Sequence, residues 1–161
     1  MRLKKLILPL GLMLSCGLSS SVIAVNMSVT ASITEVAGSS FRNKNKARKG
    51  VVTLDNGIQY EILKKGTGPK PKITDRVTVH YHGTLITGKI FDSSVKRGQP
   101  ATFPVSGVIK GWQIIVPMMP IGSKWKVVIP PELAYGNRGA GALIGPGTTL
   151  VFEIELLSVT K

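Results

Sequence analysis

The sequence predicts an α+β domain in which a sheet wraps a single short helix. Gly 18 and Pro 10 among 161 residues indicate many turns and few helices. Several segments alternate apolar and polar side chains, which is the pattern of a half-buried strand. In Val105–Trp112, two β-branched residues precede a Gly-Trp pair at which a short helix can begin. Trp112 is then either a core residue or the floor of an apolar cavity.

Residues 1–24 have the features of an export signal. A positive start is followed by an apolar run over residues 6–18, which is too short to span a bilayer. We expect cleavage after Ala24 and an exported protein, located in the periplasm or at the outer membrane or cell surface. The alternative is a lipoprotein in which Cys16 is lipidated. Cys16 is the only cysteine, so the folded part has no intrachain disulfide to stabilise it.

Residues 25–50 are expected to be a flexible basic spacer. Residues 25–40 have no clean period of two or 3.6, and residues 42–49 carry five positive charges. Such a charge run is typical of a solvated linker, and the alternative is contact with an anionic envelope surface. The net charge of +13 suits an anionic environment. Nucleic-acid binding is not expected, because no strip of aromatic and basic residues is apparent and because the chain is exported.

The folded domain is expected over residues 51–161 and begins with a hairpin. Strands at 51–54 and 58–65 flank an Asp-Asn-Gly sequence, which is a strong signal for a tight turn. The second of these strands has one apolar face. The side chains expected on this face are Ile58, Tyr60 and Ile62.

Residues 77–85 form the clearest strand of the chain. The alternation directs Tyr81 to the core and directs His80 and His82 away from it. Two histidines at this spacing can bind a metal on an exposed strand. A metal site is not expected, because no Cys, Asp or third His is near in sequence to complete it.

The segment after this strand contains an acid, an edge strand and the short helix. Asp92 is either a turn residue that bonds to the backbone or a carboxylate at the edge of an apolar pocket, and its spacing alone favours the turn. Residues 101–105 form an edge strand, where a proline is tolerated. The helix is expected over Lys110–Val116, because Pro117 cannot donate to the helical ladder.

Two further strands are separated by a glycine-rich loop. Strands at 124–129 and 148–159 each have one apolar face. The loop at 137–147 carries Leu143 and Ile144 at its tip. We expect these two residues to cover something apolar rather than to pack in the core.

Five segments resemble, in order and spacing, the FK506-binding-protein (FKBP) family of peptidyl-prolyl cis–trans isomerases. They read V-T-V-H-Y-H-G-T-L, I-F-D-S-S, V-I-K-G-W, L-A-Y-G and T-L-V-F-E-I-E-L-L. The hairpin and the glycine-rich loop resemble the bacterial macrophage infectivity potentiator (Mip) branch, in which a helical dimerisation arm precedes the isomerase domain. No such arm is recognisable here, so we expect a monomer. The resemblance implies a five- or six-stranded antiparallel sheet wrapped around one short α-helix.

The resemblance also implies an activity and a pocket. The activity is the rotation of X-Pro bonds in unfolded or partly folded exported proteins, with no cofactor or metal, and FK506- or rapamycin-type macrolides would bind the same pocket. The alternative is a non-catalytic chaperone that uses this pocket only to hold peptides. The catalytic residues would be Tyr81, Asp92 and Tyr135. The residues that would line the pocket are Phe91, Phe103, Val108, Ile109, Trp112, Leu143, Ile144 and Phe152.

Overall fold

The computed structural model describes residues 19–161, which form one antiparallel sheet, one long helix and several short helices. Residues 1–18, with Cys16 and most of the predicted export signal, lie outside the described residues. The α-helices are α1 (Ser19–Lys46), α2 (Ser94–Arg97) and α3 (Lys110–Ile115). The strands are β1 (Val51–Thr53), β2 (Gln59–Lys64), β3 (Arg76–Leu85), β4 (Ile90–Ser93), β5 (Ala101–Pro104), β6 (Lys124–Ile129) and β7 (Leu150–Thr160).

The sheet confirms the predicted class and has seven strands rather than five or six. Its order is β1-β2-β6-β7-β3-β4, and β5 pairs with the first part of β3. The unexpected strand is β4, which lies where we had favoured a turn and pairs with the end of β3. Strand β3 thus has three partner strands, and Tyr81 lies in its middle, between the part that pairs with β5 and the part that pairs with β4.

The core lies between α3 and the apolar faces of β3, β6 and β7. Helix α3 packs so closely on β6 that Gly111 is required, since a Cβ there would lie 2.6 Å from Ile129 Cγ2. Pro117 lies in a short 3-10 turn, Val116–Met118, that directly follows α3. The predicted apolar faces of β6 and β7 are confirmed. Their buried side chains are Trp125, Val127, Ile129, Leu150, Phe152, Ile154 and Leu156.

The histidines of β3 lie on its non-core face, as predicted. His80 Nδ1 is 3.1 Å from Ser94 Oγ, and His82 Nδ1 is 2.9 Å from Ser93 Oγ. Across residues 19–161, no group of three or more His, Cys, Asp or Glu side chains is placed to hold a metal ion. Both imidazoles therefore serve to attach β4 and the start of α2 to β3.

The predicted flexible spacer is wrong, because residues 25–46 of it lie in α1. Arg42 donates to Glu35 Oε1 at 2.8 Å and also to Thr149 Oγ1, just before β7. Two lysines in the last turn interact favourably with the helix dipole. These contacts stabilise the helix, and its weak sequence periodicity gave no indication of them. The expected monomer was inferred from the lack of a helical arm, and α1 removes that argument.

The predicted apolar face of β2 is also wrong in part, because α1 covers the start of this strand. Ile62 is 43% exposed, whereas Gln59 is only 2% exposed. The amide of Gln59 donates to Arg42 O at 2.8 Å and accepts from Asn45 Nδ2 at 2.8 Å.

Nothing in the described part of α1 is long and apolar enough to cross a bilayer.

Candidate functional site

An open cavity of about 480 Å³ lies at the N-terminal end of α3. Strands β3, β4, β5 and β7 contribute its walls. All of the predicted site residues except Leu143 and Ile144 line it. The lining residues are Tyr81, Phe91, Asp92, Phe103, Gly107, Val108, Ile109, Trp112, Tyr135 and Phe152.

Trp112 is the centre of an aromatic cluster. Its ring centroid lies 5.6 Å from that of Tyr81, 6.1 Å from Phe103 and 5.4 Å from Phe152, all at nearly perpendicular angles. Phe91 meets Phe152 in the same way at 5.5 Å. Edge-to-face contacts of this kind are favoured by the ring quadrupoles and fix the rings relative to one another. Trp112 is 4% exposed, so it is a core residue and also lines the cavity.

Asp92 lies in β4 and bonds to side chains, so it is not a turn residue. The Tyr81 hydroxyl donates to Asp92 Oδ2 at 2.5 Å, and the Arg97 guanidinium donates to Asp92 Oδ1. Arg97 Nη2 also donates to the Tyr81 hydroxyl oxygen at 2.9 Å. The same guanidinium lies 5.7 Å from the centre of the Tyr81 ring, within range of a cation–π contact. The three side chains therefore form a closed hydrogen-bonded triangle beside the cavity.

This triangle determines the ionisation of its members. Burial raises the pKa of Tyr81, and the hydrogen bond to Asp92 raises it further. Burial also acts to raise the pKa of Asp92, but the hydrogen bonds from Tyr81 and Arg97 outweigh it and lower that pKa below its ordinary value. At neutral pH Asp92 is therefore a carboxylate and Tyr81 a neutral hydroxyl. The group can orient Tyr81 and place a negative charge at the cavity edge, but Asp92 has no proton to give.

Two further residues of the site, Arg97 and Gln113, were not predicted from the sequence. Arg97 ends α2, a single turn capped by Ser93, whose hydroxyl accepts from Lys96 N at 3.2 Å. The capping serine and Gly98 were signals of this turn, but not of the direction in which the Arg97 side chain extends. Gln113, a residue of α3, donates through Nε2 to Val108 O at 2.8 Å. This bond holds the backbone of the cavity rim against the helix.

The rim beside Gln113 presents a free backbone donor. The carbonyl of Ile109 accepts from Trp112 N at 2.9 Å and from Gln113 N at 3.1 Å, which starts α3. No acceptor for the Ile109 N–H lies among residues 19–161. This donor lies in the lining of the cavity and can bind a ligand carbonyl.

Leu143 and Ile144 line a neighbouring cavity of about 310 Å³ that shares Phe91, Asp92 and Tyr135 with the first. The expectation that neither packs in the core is wrong for Ile144, which is 7% exposed and belongs to the core. The reason is a tight backbone pair: Ala140 N donates to Ile144 O at 2.8 Å and Ile144 N donates to Ala140 O at 3.2 Å. This turn directs Ile144 inward and leaves Leu143 38% exposed.

Two family matches cover most of the chain. The family described as FKBP-type peptidyl-prolyl cis-trans isomerase matches residues 68–157, which include every residue that lines the first cavity. A domain described as amino terminal to FKBP-type peptidyl-prolyl isomerase matches residues 23–62. The second match covers most of α1, where we had expected a spacer.

Known proteins resemble this chain over most of its length. The FKBP-type 22 kDa peptidyl-prolyl cis-trans isomerase of Escherichia coli is 53% identical over 76% of this chain and 59% of its own. The outer membrane protein MIP of Legionella longbeachae is 52% identical over 77% of this chain and 53% of its own. The crystal structure of FkpA from Escherichia coli superposes with a TM-score of 0.84 at 44% identity, covering 87% of this chain and 65% of that one. The chain thus spans a little over half the length of the curated relatives it matches.

Proposed function

This chain belongs to the FKBP-type peptidyl-prolyl cis–trans isomerase family, and we propose that it accelerates rotation about X-Pro bonds in exported proteins. The observation that supports this most is the cavity at α3. It combines a rigid aromatic lining, a free backbone N–H at Ile109 and an ionised Asp92 that is held by Tyr81 and Arg97. This combination can bind a proline ring and a carbonyl without reacting chemically with either.

The reaction requires no covalent step. An X-Pro bond rotates over a barrier of about 18–20 kcal/mol, which makes the uncatalysed event take roughly tens to hundreds of seconds. At the top of the barrier the amide is twisted and has lost its resonance, so it is less polar than the planar ground state. A dry aromatic cavity therefore disfavours the planar amide more than the twisted one.

The side chains of the cavity have separate roles in this proposal. Tyr81, Phe103, Trp112 and Phe152 exclude water and hold the proline ring. The Ile109 N–H and the Tyr135 hydroxyl bind the carbonyls on either side of the bond and hold the peptide in a turn-like pose. Asp92 orients Tyr81 and acts on the rotating amide through its charge. Leu143, on the outside of the neighbouring cavity, contacts the residue before proline together with Ile144, which favours apolar side chains there.

A protease-coupled assay on an X-Pro tetrapeptide tests the proposal. The protease cleaves only the trans form, so cleavage of the cis fraction is a slow phase limited by isomerisation. An isomerase raises the rate constant of this phase in proportion to the isomerase concentration. A chaperone that only holds peptides in the same cavity would suppress the aggregation of an unfolded protein and leave the slow phase unchanged. The same assay tests macrolide binding, because an FK506-type ligand in this cavity is expected to abolish the acceleration.

We further propose that the chain acts outside the cytoplasm. The support is the apolar run of residues 6–18 in the sequence and the relative that is named an outer membrane protein. The mass of the mature protein distinguishes the two routes of export. A polypeptide that begins at Val25 indicates cleavage after Ala24, whereas a diacylglyceryl group on Cys16 indicates a lipoprotein.

A further inference from the structure

We propose that a second cavity, between β2 and β6, binds peptide segments in which a carboxylate stands beside an aromatic or branched apolar side chain. This cavity has a volume of about 390 Å³ and shares no lining residue with the cavity at α3. It is a binding site in its own right, and the inference does not depend on isomerase activity. Three features of its lining support it: the floor, the wall and the charge of the rim.

The floor of this cavity is aromatic, with Trp125 only 5% exposed and Tyr60 half-buried. Tyr60 of β2 and Trp125 of β6 stack with their ring centroids 4.6 Å apart and their planes 13° from parallel. Ile62 and Met118 extend the apolar lining, and Ile62 is 43% exposed. A strand residue of this size that remains exposed beside a stacked aromatic pair gives a ligand an apolar surface to cover.

The wall is fixed before any ligand arrives. It is formed by residues 65–70, which lie against the turn at residues 121–122, just before β6. Gly66 approaches this turn so closely that a Cβ would lie 2.3 Å from Ile121 O. Gly68 N donates to Ile121 O at 3.2 Å, and Ile121 N donates to Pro69 O at 3.1 Å. A ligand that enters this cavity does not have to order the loop, and binding is stronger for that reason.

The rim carries positive charge and no negative charge. Lys65 and Lys70, at the two ends of the wall, line the cavity, and no carboxylate does. The acids nearest in the sheet, Glu61 and Glu155, pair with other basic side chains. Neither lysine forms an ion pair within the part of the chain that the structure describes. Charge complementarity therefore selects an acidic occupant, and the aromatic floor selects an apolar side chain next to the acid.

The two tryptophans of the chain report on the two cavities separately. Trp112 lines the cavity at α3 and Trp125 lines this one. Neither indole N–H has a hydrogen-bond partner among the described residues. We expect a blocked, proline-free Glu-Phe-Glu peptide to shift the Trp125 indole resonance saturably in a nitrogen-15 NMR titration of the full chain, and to leave that of Trp112 in place. A blocked Lys-Phe-Lys peptide should bind at least about tenfold more weakly.

Charge-reversed variants test the rim directly. The double variant Lys65→Glu, Lys70→Glu is expected to weaken binding of the acidic peptide by about tenfold. The control variant Lys46→Glu, Lys49→Glu changes the net charge equally, lies outside both cavities, and should bind as the wild type does. An unmoved Trp125 resonance, a shift of Trp112 alone, equal binding of the two peptides, or equal weakening by both variants would overturn the proposal. The two-peptide comparison uses the unaltered protein, so it decides the matter even if a variant fails to fold.

Discussion

Asp92 carries its negative charge at the edge of an apolar cavity because Tyr81 and Arg97 both donate hydrogen bonds to it. The variant Asp92→Ala removes this charge and leaves the Tyr81 hydroxyl without its acceptor. We expect it to lower kcat/KM on an X-Pro tetrapeptide by about ten- to a hundredfold, the equivalent of about 1.4–2.7 kcal/mol. Asp55→Ala, in the exposed turn between β1 and β2, is the control and should retain full activity. Full activity of Asp92→Ala would contradict the proposed role.

The Tyr135 hydroxyl is expected to bind a substrate carbonyl. Tyr135 is 40% exposed at the cavity mouth, so its ring does not support the core. Tyr135→Phe should therefore lower kcat/KM by about tenfold, the equivalent of about 1.4 kcal/mol, and should leave the free energy of unfolding unchanged. The assay on the same tetrapeptide measures the first quantity and urea unfolding the second. If neither this variant nor Asp92→Ala reduced activity, the assignment of the site to this cavity would fail.

The lowered pKa of Asp92 links the stability of the domain to pH. Because its pKa in the folded state lies below the ordinary value of 3.8, its charge stabilises the fold above that value, and this contribution is lost as pH falls through the folded pKa. Asp92 and Arg97 are each about half exposed, so the contribution is less than about 1 kcal/mol.

The matching experiment compares urea unfolding of the wild type and of Asp92→Asn from about pH 6 to about pH 2. The difference in the free energy of unfolding should favour the wild type at the upper end and should disappear at the lower end. A difference that stays constant across this range would show that Asp92 is not stabilised as a carboxylate.

At the scale of single residues, the sequence predicted which side chains face the cavity better than it predicted their partners. Alternation along β3 and the Gly-Trp start of α3 placed Tyr81 and Trp112 correctly, because backbone geometry alone decides those directions. Arg97 was missed, since the reach of a long side chain from a single helical turn is not visible in spacing. The inward direction of Ile144 depends on its backbone pair with Ala140, which a glycine-rich sequence does not reveal.

Among the elements, α1 is held by polar contacts rather than by an apolar stripe. Its last turns contact β2 and the residue before β7 through Gln59 and Arg42, whereas Val29, Ile33 and Val36, earlier in the helix, are more than half exposed. Because these partners are distant in sequence, the period of α1 did not identify it as a packed helix.

Gln59→Ala tests this attachment. The substitution removes the acceptor of Asn45 Nδ2 and the donor to Arg42 O, so two polar groups at the interface lose their partner. We expect a loss of about 1–3 kcal/mol in the free energy of unfolding, together with faster amide hydrogen exchange in the second half of α1. Val52→Ala, on the neighbouring strand and half exposed, should change neither quantity by much. Unchanged exchange in α1 would show that Gln59 does not anchor the helix.

For the whole molecule, the sequence predicted six of the seven strands, because each of these has a clear apolar face or a turn signal beside it. The seventh, β4, has only four residues, and none of the first three is fully buried. Its position depends on pairing with the end of β3 and on the histidine–serine contacts behind it. Such pairing is a property of the folded sheet and does not appear in a local pattern.

The charge of the whole molecule is +13, and the structure divides the basic run at 42–49 into two groups. Arg42 and Arg48 form ion pairs within the protein, with Glu35 and Glu61. The three lysines of the run form no ion pair among the described residues, so they are free to contact an anionic surface, which was the alternative to a solvated linker.

Vesicle binding distinguishes the two groups. Replacing Lys44, Lys46 and Lys49 together by alanine should weaken sedimentation with vesicles that contain anionic lipid, by about 1 kcal/mol for each lysine at low salt. The loss in the free energy of unfolding should be no more than about 1 kcal/mol, from the two lysines in the last turn of α1. Wild-type binding should fall steeply as ionic strength rises, because exposed charges are screened. Arg42→Ala should lower the free energy of unfolding and should have little effect on vesicle binding, because only 16% of the Arg42 side chain is exposed. Equal vesicle binding by the triple-lysine variant and the wild type would mean that the run is a solvated surface and nothing more.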